Sequence, residues 1–333
     1  MWDRPIRKGK MLTLLLLVAT SGIAQFNVLD YERLSVTHGI PSAPISGIVQ
    51  DHRGYLWIGT PIGLFRYNGL SSRHFISDGS ANGLPDNSIK QIEFFDKKII
   101  CLTLGGSFIH DCNTERDTNL FLSGGPSIPA FLANNMTDAC SDGHGGIILL
   151  SRSGFLHVDS LLSKKYEYIH KDSLQPMGIS SSFGRFVFPM PDGQFIIGGN
   201  HGLSAYDPLK KSTTPLSPLM YPDLDSFSSD RSAYVFELGP FEYLFFSRHQ
   251  GTLLYYHALT GVKFSLTVGI DALDLLRWNT QLHSINDSLH YFLLPGKGTM
   301  DLIIDRAGKQ MSLNPLQDTG ILPITMLVDQ DRR

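Results

Sequence analysis

Short apolar runs broken by tight polar turns repeat from one end of this chain to the other. Ile48-Val-Gln50 leads into the polar Asp51-His-Arg-Gly54, then into Tyr55-Leu-Trp57-Ile-Gly59-Thr60. After Pro61 and Ile62 comes Gly63-Leu-Phe-Arg-Tyr67-Asn68. Runs this short, rich in β-branched and aromatic residues and bounded by Gly and Asp, predict strands joined by hairpins. The last run recurs. A Gly opening an apolar-rich strand stands at Gly63, Gly106, Gly154, Gly202, Gly251 and Gly298, at intervals of 43, 48, 48, 49 and 47 residues. A second apolar run precedes each Gly, at 55–60, 99–104, 146–151, 194–199, 243–247 and 291–295. A turn precedes most of those runs, at Asp51–Gly54, Asp96–Lys98, Asp142–Gly145 and Pro191–Gly193. A unit of this length with about four short strands predicts a propeller blade. The fold expected is all-β: a β-propeller of four-stranded antiparallel blades over residues 25–333, about six of them present and a seventh begun and cut short.

Turn chemistry accounts for the repeated polar residues. Hairpin turns need positive φ, which Gly adopts without a Cβ clash. Asp bonds its own backbone two residues on and so starts a turn. The fifth residue after the first four repeat glycines is Asn68, Asp111, Asp159 and Asp207. At periodic turn positions these read as turn formers, the alternative being a ring of polar groups facing a central channel. In the run before Gly63, alternation puts Tyr55, Trp57 and Gly59 on one face and Leu56 and Ile58 on the other. A middle blade strand is buried on both faces, so Trp57 reads as core, with sugar stacking as the alternative. The looser segments 113–134, 160–180 and 208–232 read as outer strands and inter-blade loops.

Composition narrows the class. Of 333 residues, 42% are hydrophobic and 18% charged, which suits a packed chain and not a disordered one. The net charge of −3, with no long basic block after residue 10, excludes an electrostatic nucleic-acid surface. Arg4, Arg7, Lys8 and Lys10 precede the apolar run Met11–Ala19, and small residues close it at Ser21-Gly-Ile-Ala24. This is the pattern of an export leader over residues 1–24, and it predicts a periplasmic or extracellular protein. A retained anchor is the alternative, but the run is short for a span of about 20 residues. Three cysteines leave at least one thiol unpaired within the chain. Cys101 reads as a small buried hydrophobe, while Cys112 and Cys140, near turns of neighbouring units, could pair.

Candidate chemistry is sparse. His110, His144, His157, His201 and His249 fall at similar blade positions, but a metal would need several to converge. Gly143-His-Gly145-Gly146 precedes no helical pattern and reads as a β-turn, not a phosphate loop. Nucleophile elbows, zinc-protease helices and EF-type loops are absent from the sequence. No catalytic, cofactor-binding or metal-binding residue is assigned, and no cofactor is expected.

Residues 39–69 closely resemble the repeat of the two-component regulator propeller family. The resemblance lies in Gly39-Ile-Pro41, Ile48-Val-Gln-Asp51, Gly54-Tyr-Leu-Trp57-Ile-Gly59-Thr60 and Gly63-Leu-Phe-Arg-Tyr67-Asn68. The second unit keeps Gly83-Leu-Pro85 and Ser88-Ile89 but has Cys101-Leu-Thr-Leu104 in place of Trp-Ile-Gly-Thr; later units match in period alone. The resemblance implies an extracytoplasmic sensor region that is usually followed by a β-sandwich, a membrane helix and a histidine kinase. It implies a small-molecule effector such as an oligosaccharide, paired propellers, and a membrane-anchored parent protein.

Near the C-terminus, Gly320-Ile-Leu-Pro323 to Arg333 realigns with Gly39-Ile-Pro41 to Arg53 and stops before the turn Gly. An unpaired blade strand is an unfavourable end for a domain. The expectation is therefore an N-terminal fragment of a longer sensor. The alternative is closure of the ring by Ile324–Val328, with Phe26–Ser35 as a further closing candidate. Three functions stay open: a ligand-sensing propeller of a kinase sensor, a secreted scaffold with protein partners, and a propeller enzyme. The sequence style favours the first, and this chain itself is not expected to be an enzyme.

Overall fold

The computed structural model describes residues 34–121, 134–151, 154–160, 165–170, 184–190, 192–199, 202–215, 233–239, 241–247, 251–257, 259–268, 281–294 and 298–315. The leader, most of Phe26–Ser35, Ile324–Val328, His201 and His249 lie outside the described residues.

Among the described residues, 24 strands form six four-stranded sheets. Blade I holds β1 (Gly47–Gln50), β2 (Leu56–Thr60), β3 (Gly63–Tyr67) and β4 (Ser72–Phe75). Blade II holds β5 (Ile89–Phe95), β6 (Lys98–Thr103), β7 (Ser107–Asp111) and β8 (Arg116–Leu120). Blade III holds β9 (Met136–Ser141), β10 (Ile147–Ser151), β11 (Gly154–Ser160) and β12 (Lys165–His170). Blade IV holds β13 (Gly184–Pro189), β14 (Phe195–Gly199), β15 (Gly202–Asp207) and β16 (Ser212–Pro215). Blade V holds β17 (Ala233–Gly239), β18 (Glu242–Ser247), β19 (Thr252–His257) and β20 (Lys263–Thr267). Blade VI holds β21 (Gln281–Ser284), β22 (Leu289–Leu294), β23 (Gly298–Asp305) and β24 (Gln310–Pro315). Neighbouring strands in every sheet are antiparallel and follow chain order, as a propeller requires. First strands meet, β1 against β5, β5 against β9 and β9 against β13, which makes them the inner strands.

The core lies between blades. Along β6, Ile99 and Cys101 enter the slab shared with blade I, while Ile100 and Leu102 enter the slab shared with blade III. Along β10, Ile147 and Leu149 face blade II, and Ile148 and Leu150 face blade IV. The alternation continues at Tyr243 and Phe245 towards blade IV, and Leu244 and Phe246 towards blade VI. This is the period of two acting on a strand buried on both sides. The segments that read as loose contain the outer strands β8, β12 and β16; β8, for example, has just one buried residue, Leu120. Outer strands carry little hydrophobic signal because one edge faces solvent.

The repeat glycines serve the turn between the second and third strands. Gly63 has φ +132°, and a Cβ there would lie 2.6 Å from the Phe75 carbonyl oxygen. Gly106 has φ +139°, with the Leu120 carbonyl at 2.8 Å. No other L-residue fits both the angle and the space.

Trp57 is fully buried in the slab between blades I and II, which excludes it from stacking on a ligand. Its indole Nε1 donates to Asp51 Oδ2 at 2.8 Å. The other carboxylate oxygen, Oδ1, accepts the backbone N–H of Arg53 (2.8 Å) and Tyr55 (3.1 Å). One buried acid thus satisfies the indole and closes the β1–β2 turn. All three cysteines are free and buried. Cys112 lies in the I–II slab and Cys140 in the III–IV slab, so the two do not pair. Burial pushes all three thiols up, Cys112 to about 12, which leaves them unreactive.

Asp51→Ala orphans a buried indole N–H and two turn amides, and the expected loss is about 3 kcal/mol. Urea unfolding followed by Trp fluorescence measures it; a loss under about 1 kcal/mol would show the acid to be dispensable.

Candidate functional site

Of the periodic Asp and Asn residues, Asn68, Asp111 and Asp207 are turn formers. Asn68 Oδ1 accepts the N–H of Leu70 and Ser71, each at 2.9 Å. Asp111 Oδ1 does the same for Asn113 and Thr114, and Asp207 Oδ1 for Leu209 and Lys210. Asp159 ends a strand whose backbone is described, but its side chain lies outside the described residues. Gly143–Gly146 is a β9–β10 turn in which Asp142 Oδ1 accepts the N–H of His144 and Gly146, each at 2.8 Å.

The described histidines do not converge. His144 is exposed in its turn. His157 Nε2 donates to Asp142 Oδ2 at 3.1 Å, and His110 Nδ1 donates to Asp117 Oδ1 at 2.7 Å. Among the described residues, no three His, Cys, Asp or Glu side chains come together as a metal site.

Two polar constellations do assemble. The first is at the seam between blades I and II. Glu115, in the β7–β8 turn at φ +53°, accepts Arg53 at 2.5 Å and Arg66 at 2.8 Å. Desolvation would raise this carboxyl, but the hydrogen bond and charge of Arg66 hold it below the usual range. Arg66 also lies over the Tyr55 and Trp57 rings, 5.2 and 5.4 Å from their centroids. These contacts clamp one end of the seam. Beside the clamp, across β4 and β8, the seam opens into a cleft of about 290 Å³. Arg73, Phe75 and Ile76 form one wall, Phe108 and Asp117 the other, and Asp78, Ser80, Asn82 and Leu84 a bridging loop. Arg73 makes no ion pair among the described residues; its guanidinium lies 4.5 Å from the Phe75 ring centroid. Ser80 donates to Asp78 and holds that carboxyl below its usual value.

The second constellation crosses the inner strands. Gln91 Nε2 on β5 donates to Glu93 Oε1 at 2.9 Å and to Asp138 Oδ1 on β9 at 2.7 Å. Asp138 Oδ2 accepts the Val187 N–H on β13 at 2.9 Å. One rung therefore joins blades II, III and IV. Burial, reinforced by the Asp138 charge, pushes Glu93 up to about 7. Burial also pushes Asp138 up, to about 6, against the N–H groups of Val187 and Ala139 that favour its anion. The sequence gives no local sign of this rung, because Glu93 and Asp138 stand in strands of mixed polarity, Ile89–Phe95 and Met136–Ser141.

A third polar pair repeats the seam clamp with reversed charge. Arg306, in the β23–β24 turn, donates Nε to Glu242 Oε1 and Oε2, each at 2.9 Å, and lies 5.7 Å from the Tyr255 ring centroid. His290 beside it is fully buried; desolvation and the Arg306 charge hold it down at about 4, so it is neutral near pH 7.

Residues 39–61 match the two component regulator propeller family. Over 86% of its length the chain superposes on the extracellular domain of BT3049 from B. thetaiotaomicron, assigned to a hybrid two component system, at TM-score 0.61 and 17% identity. Over 90% it superposes on the extracellular domain of BT4673 from the same organism, assigned to a one component system, at TM-score 0.64 and 15% identity. It covers 37% and 40% of those two chains. Virginiamycin B lyase from Staphylococcus aureus has a similar fold, at TM-score 0.57 and 10% identity over 86% of this chain and 89% of that one. No curated protein matches. The chain is a β-propeller that carries a two component regulator propeller repeat.

Glu93 takes up its proton more readily folded than unfolded, so its contribution to stability falls as pH rises from about 4.5 to about 7. Relative to the native chain, Glu93→Gln is expected to gain about 2 to 3 kcal/mol between pH 5 and pH 8. Paired urea titrations at the two pH values measure it, and an equal gap at both would show that Glu93 does not titrate in this window.

Proposed function

We propose that this chain is the ligand-sensing propeller of a two-component sensor histidine kinase, placed outside the cytoplasm and responding to a carbohydrate-like effector. The observation that carries the reading is the repeat at 39–61, which matches the regulator propeller pattern in a chain of six four-stranded blades among the described residues. The leader pattern at 1–24 supports export. The likeness to extracellular domains of two component systems adds support at the level of fold.

In this reading the propeller binds its effector and does not transform it. Binding favours one arrangement of paired propellers, and a membrane helix passes that arrangement to the kinase as a population shift. The effector must bind the two arrangements with different affinity, since a ligand with equal affinity shifts nothing.

The test is a panel of oligosaccharides added to the exported chain while thermal unfolding is followed. The effector at about a hundredfold excess over its Kd raises stability by about 2.7 kcal/mol and is recovered chemically unchanged. In cells, deleting the gene abolishes the transcriptional response to that same sugar. A stabilising sugar that is cleaved would make the chain an enzyme, and an intact response in the deletion strain would remove the kinase link.

A further inference from the structure

The cleft between blades I and II is built differently from the other polar features of the molecule. Arg53, Arg66 and Glu115 satisfy one another across the seam, and Gln91 satisfies two acids at the inner edge. In the cleft, the exposed guanidinium of Arg73 lies over the Phe75 ring without an ion pair among the described residues, and Asp117 lines the same cleft. Register explains the gap. Arg66 and Arg73 are directly paired across β3 and β4, so both lie on the blade face turned towards β8. Glu115 at the turn takes Arg66, while Asp117, two residues further on, is held by His110.

We propose that this cleft binds one uncharged sugar ring. The proposal rests on reading the propeller as a carbohydrate sensor and assigns that sensor a binding site and a ligand class. Three features point to a neutral polyhydroxylated ring. The rim offers donors and acceptors together: guanidinium N–H groups of Arg73, carboxylate oxygens of Asp117 and Asp78, and the amide of Asn82. Ile76, 52% exposed, gives apolar surface for the C–H face of a ring, above the buried Phe75 and Phe108. Two aspartates stand against one arginine in the lining, with His74 beside them, so uronates and sulfated sugars fit worse than neutral ones. The volume of about 290 Å³ is at the low end of small-molecule sites, which suits a single ring and leaves a longer chain to extend outwards.

The contact also has a route into the core. Asp117 holds His110, whose ring lies 4.8 Å from that of Trp57. A hydroxyl that hydrogen-bonds Asp117 therefore alters the surroundings of the buried indole.

The experiment uses the whole chain, exported from a bacterial host. Glucose, galactose, mannose, arabinose and xylose are titrated beside glucuronate and galacturonate, with calorimetry and Trp fluorescence as readouts. At least one neutral sugar is expected to bind and to change the fluorescence. Arg73→Gln and Asn82→Ala, both at exposed positions, are expected to weaken that binding by about tenfold each with unchanged unfolding temperatures. Uronates are expected to bind at least about tenfold more weakly than the neutral sugar. Sugar binding that is untouched in both variants overturns the cleft and leaves the sensor reading standing. Tighter binding of a uronate overturns the assigned ligand class. No binding of any sugar, here or in the oligosaccharide panel, removes the carbohydrate reading and the cleft with it.

Discussion

The middle strands of blades II to V are buried on both faces, and the two faces belong to different cores. Ile99 and Cys101 cannot be satisfied without blade I, nor Ile100 and Leu102 without blade III. None of these four blades has a core of its own, whereas blade I packs one face on the segment that leads into it. Stability is passed from neighbour to neighbour, as in a solenoid wrapped around an axis. The remaining features follow from this requirement. Turns must be tight, because blades are stacked and a Cβ at Gly63 or Gly106 would meet the next strand's carbonyl. Polar groups must sit at the rims of each slab, because its middle admits none without a partner.

The rims show how the same position is used with different chemistry. In blade II, the turn between the third and fourth strands presents Glu115 to two arginines of blade I. In blade VI, the equivalent turn presents Arg306 to Glu242 of blade V. The charges are exchanged and the clamp is kept. In both cases the arginine also lies against aromatic rings, so it packs as well as pairs. The inner rim uses a neutral bridge instead. Gln91 holds two raised carboxyls that would repel each other if both were ionised.

The likeness to a lyase and to extracellular sensor domains within one architecture illustrates that a propeller does not define an activity. Function here belongs to whatever interrupts the regular stacking. The seam between blades I and II is such an interruption, with a cleft open beside its clamp. The opening borders the repeat that carries the family pattern.

The period of the glycines, the two-residue alternation and the Asp-led turns are local properties, since each depends on backbone angles or on neighbours a few residues away. They were legible in the chain, and with them the all-β class, the six four-stranded units of the described residues and the turn role of Asn68, Asp111 and Asp207. The outer strands were fainter because half-exposed strands carry little hydrophobic pattern. Other features depended on which blades touch. Cys112 and Cys140 look like partners by spacing, yet they lie in different slabs. The rung from Glu93 to Val187 spans about a hundred residues and three blades, and no local pattern marks it. Arg73 looks like any polar residue of an edge strand. Its place in an open cleft follows from the pairing of β3 with β4 and from Asp117 already being held by His110. Those are distances across a seam, and they exist only once the blades have stacked.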